Sequence, residues 1–241
     1  MALFTIISPL YHPSRLARQQ RQYQRIKETA GDLVEVLGAC DNPLLHNQMG
    51  CDRVVKIPKR IGFSHAVNAA VPFVQTDVVG FLDDSAWPAV SDWAQQAYAL
   101  FTKHFPDGQG LLEYSGVPDC WSRGLTTIPF AGSFNRGQLL WGEYLHCGDE
   151  DLYEQAKERF YCAPDILVQE TKYDDAVRGY ILDATILHDW PIFSMRKDQG
   201  FPQHKQEDWE QRLRAFGKLQ SSYRELIKNI LSFSQEEVTC V

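Results

Sequence analysis

The sequence has no apolar run near the roughly 20 residues that a membrane-crossing helix needs. It has no Cys-x-x-Cys pair and no excess of positive charge: 24 Lys+Arg stand against 31 Asp+Glu, for a net charge of −7 and a pI near 5.5. Nothing global therefore draws the chain to a phosphate polymer. The six cysteines, Cys40, Cys51, Cys120, Cys147, Cys162 and Cys240, are too scattered for a metal-ligand pair. A chain of this size needs no disulfide framework, so they are expected to be buried free thiols of a reducing, cytoplasmic protein. The stretch Leu3–Leu10 lacks a basic start and a cleavage site and is broken by Ser8 and Pro9. It reads as a first buried strand rather than a signal peptide.

What is present is ordinary globular chain: 241 residues, 44% hydrophobic and 23% charged. Strands are expected at Leu3–Ile7, Leu33–Leu37, Val54–Ile57 and Val78–Leu82. Between them lie a helix Arg15–Ala30, capped by Ser14, and a second helix opened by Ser64. That alternation implies an α/β domain with a largely parallel sheet. Further on, Ser91–Phe105, Gln138–Tyr144 and Asp151–Phe160 read as helices. Leu111–Tyr114, Ile128–Ala131 and Tyr180–Leu187 read as strands. A loop Asp189–His204 leads to two amphipathic helices, Asp208–Phe216 and Ser222–Phe233. The expected organisation is one domain over 1–203 with a helical extension, 204–241, packed on it.

Ligands of open parallel sheets collect beyond the carboxyl ends of the strands. The strand Val78–Leu82 ends in Asp83-Asp84-Ser85, where adjacent carboxylates repel unless a cation sits between them. Such pairs also make ordinary turns. Gly148-Asp149-Glu150-Asp151 opens a helix, where acidic residues suit the helix dipole. Three in succession exceed what capping needs and suggest a general base. His188 follows the strand Tyr180–Leu187; alone, it reads as a structural histidine. Arg15, Arg18, Arg21, Arg25 and Lys27 make the first helix basic. This is expected to be a solvated face, or else a surface for nucleic acid, an anionic membrane or a phosphorylated acceptor.

Taken in order, these segments resemble the GT-A glycosyltransferases. Phe81-Leu82-Asp83-Asp84-Ser85-Ala86-Trp87-Pro88 is similar to their DxD region. Gly62-Phe63-Ser64-His65-Ala66-Val67-Asn68 is similar to their Gly-x-x-x-Ala-x-Asn helix start, and Ile6-Ile7-Ser8-Pro9-Leu10-Tyr11 to their first strand. Downstream, Ala131-Gly132-Ser133-Phe134 through Gly148-Asp149-Glu150-Asp151 resembles the acceptor-side segment of family 2-like and β-1,4-galactosyltransferase-like enzymes. In the latter, a histidine metal ligand falls where His188 stands here.

The resemblance implies a Rossmann-like, mostly parallel sheet flanked by helices. It also implies transfer of a sugar from a nucleoside-diphosphate sugar, UDP-sugars favoured, to a hydroxyl acceptor with inversion. Asp84, Asp83 and His188 would hold Mn2+, or Mg2+ in its place. Asp149, with Asp151 second, would be the base. Pro9, Tyr11, Asp41, Arg60, Asn68, Asp83, Gly132 and Ser133 would bind the donor. Ser85 stands where a full DxD has its last Asp, so the metal carboxylate is Asp84 or Asp83. Two alternatives stay open: a non-catalytic nucleotide-sugar or carbohydrate-binding module, and a nucleotidyltransferase. The second is disfavoured because the loop Ser8–Pro13 has no Gly to cradle a phosphate.

Overall fold

The computed structural model describes residues 2–10, 12–82, 86–116, 121, 123–140, 148–170 and 220–241. Strand β1 (Phe4–Leu10) is apolar and buried along almost its whole length, as a central parallel strand must be. A 3-10 turn over Pro13–Arg15 leads from it into helix α1 (Leu16–Ala30). Ser14 is not the helix cap expected from the sequence. Pro13 starts the tighter turn, and the Ser14 N–H donates to Nδ1 of His12 at 3.3 Å.

The inner stripe of α1 is Arg18, Gln19, Gln22, Ile26 and Ala30, at three- and four-residue spacing. The five basic residues of this region therefore share no single solvated face. Arg18 is buried, Lys27 pairs with Asp52 at 2.7 Å, and Arg21 is exposed.

Strand β2 (Val34–Cys40) pairs parallel with β1 from Phe4↔Val34 to Leu10↔Cys40. Strand β3 (Arg53–Lys56) extends the sheet on that side. The chain then crosses through helix α2 (Phe63–Ala70) to β4 (Val78–Phe81), which pairs parallel with the other side of β1. The strand order thus reverses at β1, which places a crevice between the ends of β1 and β4.

The second half is built from β5 (Ala86–Pro88), helix α3 (Trp93–His104), β6 (Leu111–Glu113) and β7 (Gly124–Thr127). Helix α4 (Ile128–Phe134), helix α5 (Gly148–Ala156), β8 (Phe160–Cys162) and β9 (Val168–Glu170) follow. Helix α6 (Gln220–Leu231) and β10 (Thr239–Cys240) complete the described elements.

The main sheet has eight described strands in the order β10-β3-β2-β1-β4-β7-β6-β8, and β5 pairs with β9 apart from it. Its β3-β2-β1-β4 half is parallel, while β7 runs antiparallel to both β4 and β6. At the β4–β7 contact, a Cβ on Gly80 would run into the backbone carbonyl of Gly124. Only glycine allows so close an approach.

Successive side chains of β1 serve opposite faces, as a strand's period of two requires. Ile7 enters a core with Leu37, Val67, Phe81, Trp121, Leu140 and Leu152 beneath α2, α4 and α5. Ile6 and Phe4 enter a second core with Ile26, Trp93 and Phe101 beneath α1 and α3. Phe81 meets Trp121 edge-to-face at 5.0 Å, and each such buried aromatic contributes on the order of 1.5–3 kcal/mol.

Residues 220–241 pack back on the first half. β10 pairs antiparallel with the edge strand β3, Lys59 Nζ donates to the Ser232 carbonyl at 2.7 Å, and Gln235 donates to that of Ala69 at 3.0 Å. The edge of the sheet is thereby covered.

Three expectations are corrected. Ile128–Ala131 is helix rather than strand, because Thr127 Oγ1 accepts the Phe130 N–H at 3.3 Å and Pro129 suits a first helical turn. The strand lies just before it, as β7. The helix expected to reach Phe160 ends at Ala156, and Phe160 begins β8, paired with Leu111. Gln138, Leu139 and Leu140 are not helical. The rest of that expected helix lies outside the described residues, as do the strand 180–187 and the helix 208–216.

Candidate functional site

The candidate site lies where the parallel strands end. Cys40 closes β2 opposite Leu10 of β1, and the Leu82 N–H, just past β4, donates to the Ile7 carbonyl at 3.4 Å. His46 joins β2 to the end of β3. Its Nε2 lies 3.0 Å from the Cys40 carbonyl and 3.1 Å from that of Ile57, so the Nε2–H tautomer donates to both.

Asp41 follows β2 and is buried. Its Oδ2 accepts the N–H groups of Ile61 and Gly62, each at 2.9 Å. Gly62 has φ 84° and precedes α2 without a side-chain cap, so Asp41 fixes the helix entrance from a neighbouring strand. Burial pushes the Asp41 carboxyl above its usual range, while the two amides and the charge of Arg60 pull against that rise.

Arg60 also acts on His12, whose imidazole is held below its ordinary value by burial, then by Arg60 and Arg15. Arg60 is thus within electrostatic reach of both Asp41 and His12, and Arg15 of His12, at the corner where β1, β2 and β3 end. Two guanidinium groups there suit an anion, which the Asp41 carboxylate alone would repel. His12 is not among the sequence-derived candidates, and Arg15 is named there only as one of the five basic residues of the first helix. Their signal was positional, since they directly follow the central strand at its ligand-binding end.

The other expected donor residues divide. Pro9 lies on β1 opposite Ala39, two residues before the strand leads into the corner. Asn68 turns both halves of its amide to the backbone of Leu140. Nδ2 donates to the Leu140 carbonyl at 2.8 Å, and Oδ1 accepts the Leu140 N–H at 2.9 Å. Gly132 and Ser133 belong to α4. The Gly137 N–H donates to the Gly132 carbonyl at 2.8 Å, and Ser133 Oγ donates to the Phe130 carbonyl at 2.6 Å.

Asp149 stands in the first turn of α5 and is 8% exposed, three residues before Leu152, which is anchored in the core shared with α2. Asp151 follows in the same helix. Tyr11, Asp83, Asp84 and His188 lie outside the described residues. The chain resumes at Ala86, whose carbonyl accepts Gln22 Nε2 of α1 at 2.6 Å. Among the described residues, no three His, Cys, Asp or Glu side chains gather to hold a metal ion, and no helix is long and apolar enough to cross a membrane.

No protein-family model matches the chain, and no curated protein sequence does. Solved structures do resemble it. The mannosyltransferase PcManGT of Pyrobaculum calidifontis, solved with GDP-Man and Mn2+, is 14% identical at a TM-score of 0.55, over 76% of this chain and 61% of its own. TarS of S. aureus is 14% identical at a TM-score of 0.50, over 78% of this chain and 40% of its own. The chain thus spans about three fifths of one relative and two fifths of the other. At such identities the likeness establishes the fold: a GT-A-type α/β sheet, mostly parallel and flanked by helices.

Proposed function

We propose that the chain is a metal-dependent glycosyltransferase, moving a sugar from a nucleoside-diphosphate sugar to a hydroxyl acceptor with inversion. The observation that carries this reading is the GT-A-type sheet itself, whose strand order reverses at β1, with the guanidinium groups of Arg15 and Arg60 both close enough to His12 to hold its imidazole neutral. A diphosphate is the anion such a crevice suits. The solved structure of PcManGT with GDP-Man and Mn2+ supports the same substrate class.

Arg60 and Arg15 would face the diphosphate, and Pro9, Tyr11 and Asp41 would frame the nucleoside, a uridine favoured. Asp83, Gly132 and Ser133 would lie toward the sugar. Asp84, with Asp83 and His188, would hold Mn2+ or Mg2+, which offsets the negative charge developing on the departing nucleoside diphosphate. Asp149 would take the proton of the acceptor hydroxyl as it attacks the anomeric carbon, with Asp151 the second candidate. The free thiols of Cys40, Cys51, Cys162 and Cys240 fit a cytoplasmic protein.

Ser85, in place of a last metal-binding acid, favours a second reading: a module that binds nucleotide sugars without turning them over. Thermal unfolding with UDP, GDP, UDP-glucose and GDP-mannose, each with and without Mn2+, tests both. Ligand at 100-fold its Kd stabilises by about 2.7 kcal/mol, or roughly 5–10 °C in a chain of this size. The expected result is such a rise with at least one nucleotide, dependent on Mn2+, together with slow release of free sugar from the matching donor. Binding without sugar release selects the module. No shift with any of the four overturns both.

A further inference from the structure

Asn68 and Leu140 are 72 residues apart, yet one side chain satisfies both backbone groups of Leu140. The adjoining turn is tied in the same manner. Asn135, fully buried, donates from Nδ2 to the Leu139 carbonyl at 3.0 Å, and the Gln138 N–H donates to the Asn135 carbonyl at 3.0 Å. At its other end, α2 is held by Asp41, whose carboxylate takes the amides of Ile61 and Gly62. Helix α2 is therefore a strut. Its entrance is tied to the end of β2 in the cationic corner, and its far half is tied to the turn that precedes α5 and Asp149.

We infer that Asn68 is a positioning residue rather than a donor ligand. It sets the backbone of Leu140, whose side chain shares a core with Leu152 of α5, the helix that carries the candidate base, and so links that helix to the nucleotide corner. The inference rests on the transferase reading above. An amide whose Oδ1 and one N–H are both bonded to Leu140 is held in one orientation by that pair, which leaves a single N–H for anything else. Backbone groups at the edge of a core lose far more when such a partner is removed than a solvated pair does. The isosteric Asn68→Asp change is the sharpest probe. It puts a carboxylate oxygen against the Leu140 carbonyl at neutral pH, while its protonated form, below about pH 4, can donate there again.

The experiment compares the wild type, Asn68→Asp and Asn68→Ala. Mn2+-dependent affinity for UDP and GDP is measured by calorimetry, sugar release from UDP-glucose and GDP-mannose by turnover assay, and amide exchange across residues 135–156 by mass spectrometry. For Asn68→Asp, nucleotide affinity should stay within about twofold, while turnover falls on the order of tenfold or more. Protection, with the intrinsic slowing of amide exchange at low pH divided out, should fall over residues 139–140 and 148–156 and recover as the pH is lowered, whereas in Asn68→Ala it stays low. Nucleotide affinity falling in step with turnover would make Asn68 a donor ligand and overturn the inference. So would unchanged turnover with unchanged exchange. If the wild type binds neither nucleotide, the transferase reading fails and the catalytic consequence with it. The exchange data then decide separately whether Asn68 holds the turn.

Discussion

Asp41 and Gly62 are joined across the entrance of helix α2, one carboxylate oxygen accepting the Gly62 amide at 2.9 Å and the neighbouring Ile61 amide at the same distance. The helix begins with Gly62 at positive φ and lacks a cap of its own. The two residues that lead into it, Ile61 and Gly62, are therefore held by a residue 20 and 21 positions earlier, just past the end of β2.

Replacing Asp41 with Ala strands those two amides in a buried place. Each unsatisfied buried donor costs about 1–3 kcal/mol, and the Gly62 amide, only part-buried, less than that of Ile61, so Asp41→Ala should lose on the order of 2–4 kcal/mol in urea unfolding. Asp41→Asn keeps one carbonyl oxygen facing the amides and should lose clearly less. Equal losses in the two variants would mean that the helix entrance is held by something other than this acceptor.

Gly80 sits where β4 passes β7, and a Cβ there would collide with the Gly124 carbonyl, a backbone atom that cannot swing aside. Gly80→Ala should therefore cost on the order of 3 kcal/mol or more, or prevent folding altogether. Gly31 has open space around its absent Cβ, and only its positive φ opposes a side chain. Gly31→Ala should cost about 1 kcal/mol. Thermal midpoints of the two variants test the ranking, and a reversed order would show that the β4–β7 contact is looser than described.

His65, on α2, is pushed down to about 4 by burial, and its Nδ1 is buried with no hydrogen-bond partner. The folded protein thus holds the imidazole neutral, whereas the unfolded chain takes up a proton near pH 6.5. Between those values the unfolded state binds more protons, so stability falls as the pH falls from about 6.5 toward 4, by up to about 3 kcal/mol. His65→Leu removes this contribution. Urea midpoints measured from pH 7.5 to 4 should decline less steeply in the variant, and parallel declines would place the acid sensitivity elsewhere.

The parallel half of the sheet was legible because its strands are rich in β-branched and other apolar residues and largely buried. Phe4–Leu10, Val34–Cys40 and Val78–Phe81 differ from their sequence readings chiefly at the ends. The antiparallel half was legible only in part, since Leu111–Tyr114 reads as the strand it forms, β6, while β7 and β8 do not. β6, β7 and β8 are three or four residues long, and the Gly80–Gly124 passage that aligns β4 with β7 leaves no local periodicity. Ile128-Pro129-Phe130-Ala131 misleads by composition, since its apolar residues suit a strand while Thr127 and Pro129 mark a helix start. At the site, Asp41 followed from the resemblance to GT-A glycosyltransferases, in the segment just after the second strand. The Asn68–Leu140 link did not, because contacts 72 residues apart follow from topology and not from spacing.

Asp149 offers the most direct check on the chemistry. It is almost wholly buried in the first turn of α5, where the helix dipole favours a negative charge, and Leu152 locks that turn into the core. A base held on such a turn keeps its position when its charge is removed, so Asp149→Asn should fold and unfold much as the wild type does. If Asp149 is the proposed general base, its loss should lower turnover by about 100- to 10,000-fold, with nucleotide affinity unchanged because such a base would act on the acceptor and not on the nucleotide. Asp149→Ala should behave alike in turnover but lose some stability. Asp151→Asn, by contrast, should leave turnover within about threefold if Asp149 is the base. The opposite pattern, with Asp151→Asn inactive and Asp149→Asn active, would move the base by two positions along the helix. Full activity in both variants would remove general-base catalysis from this helix.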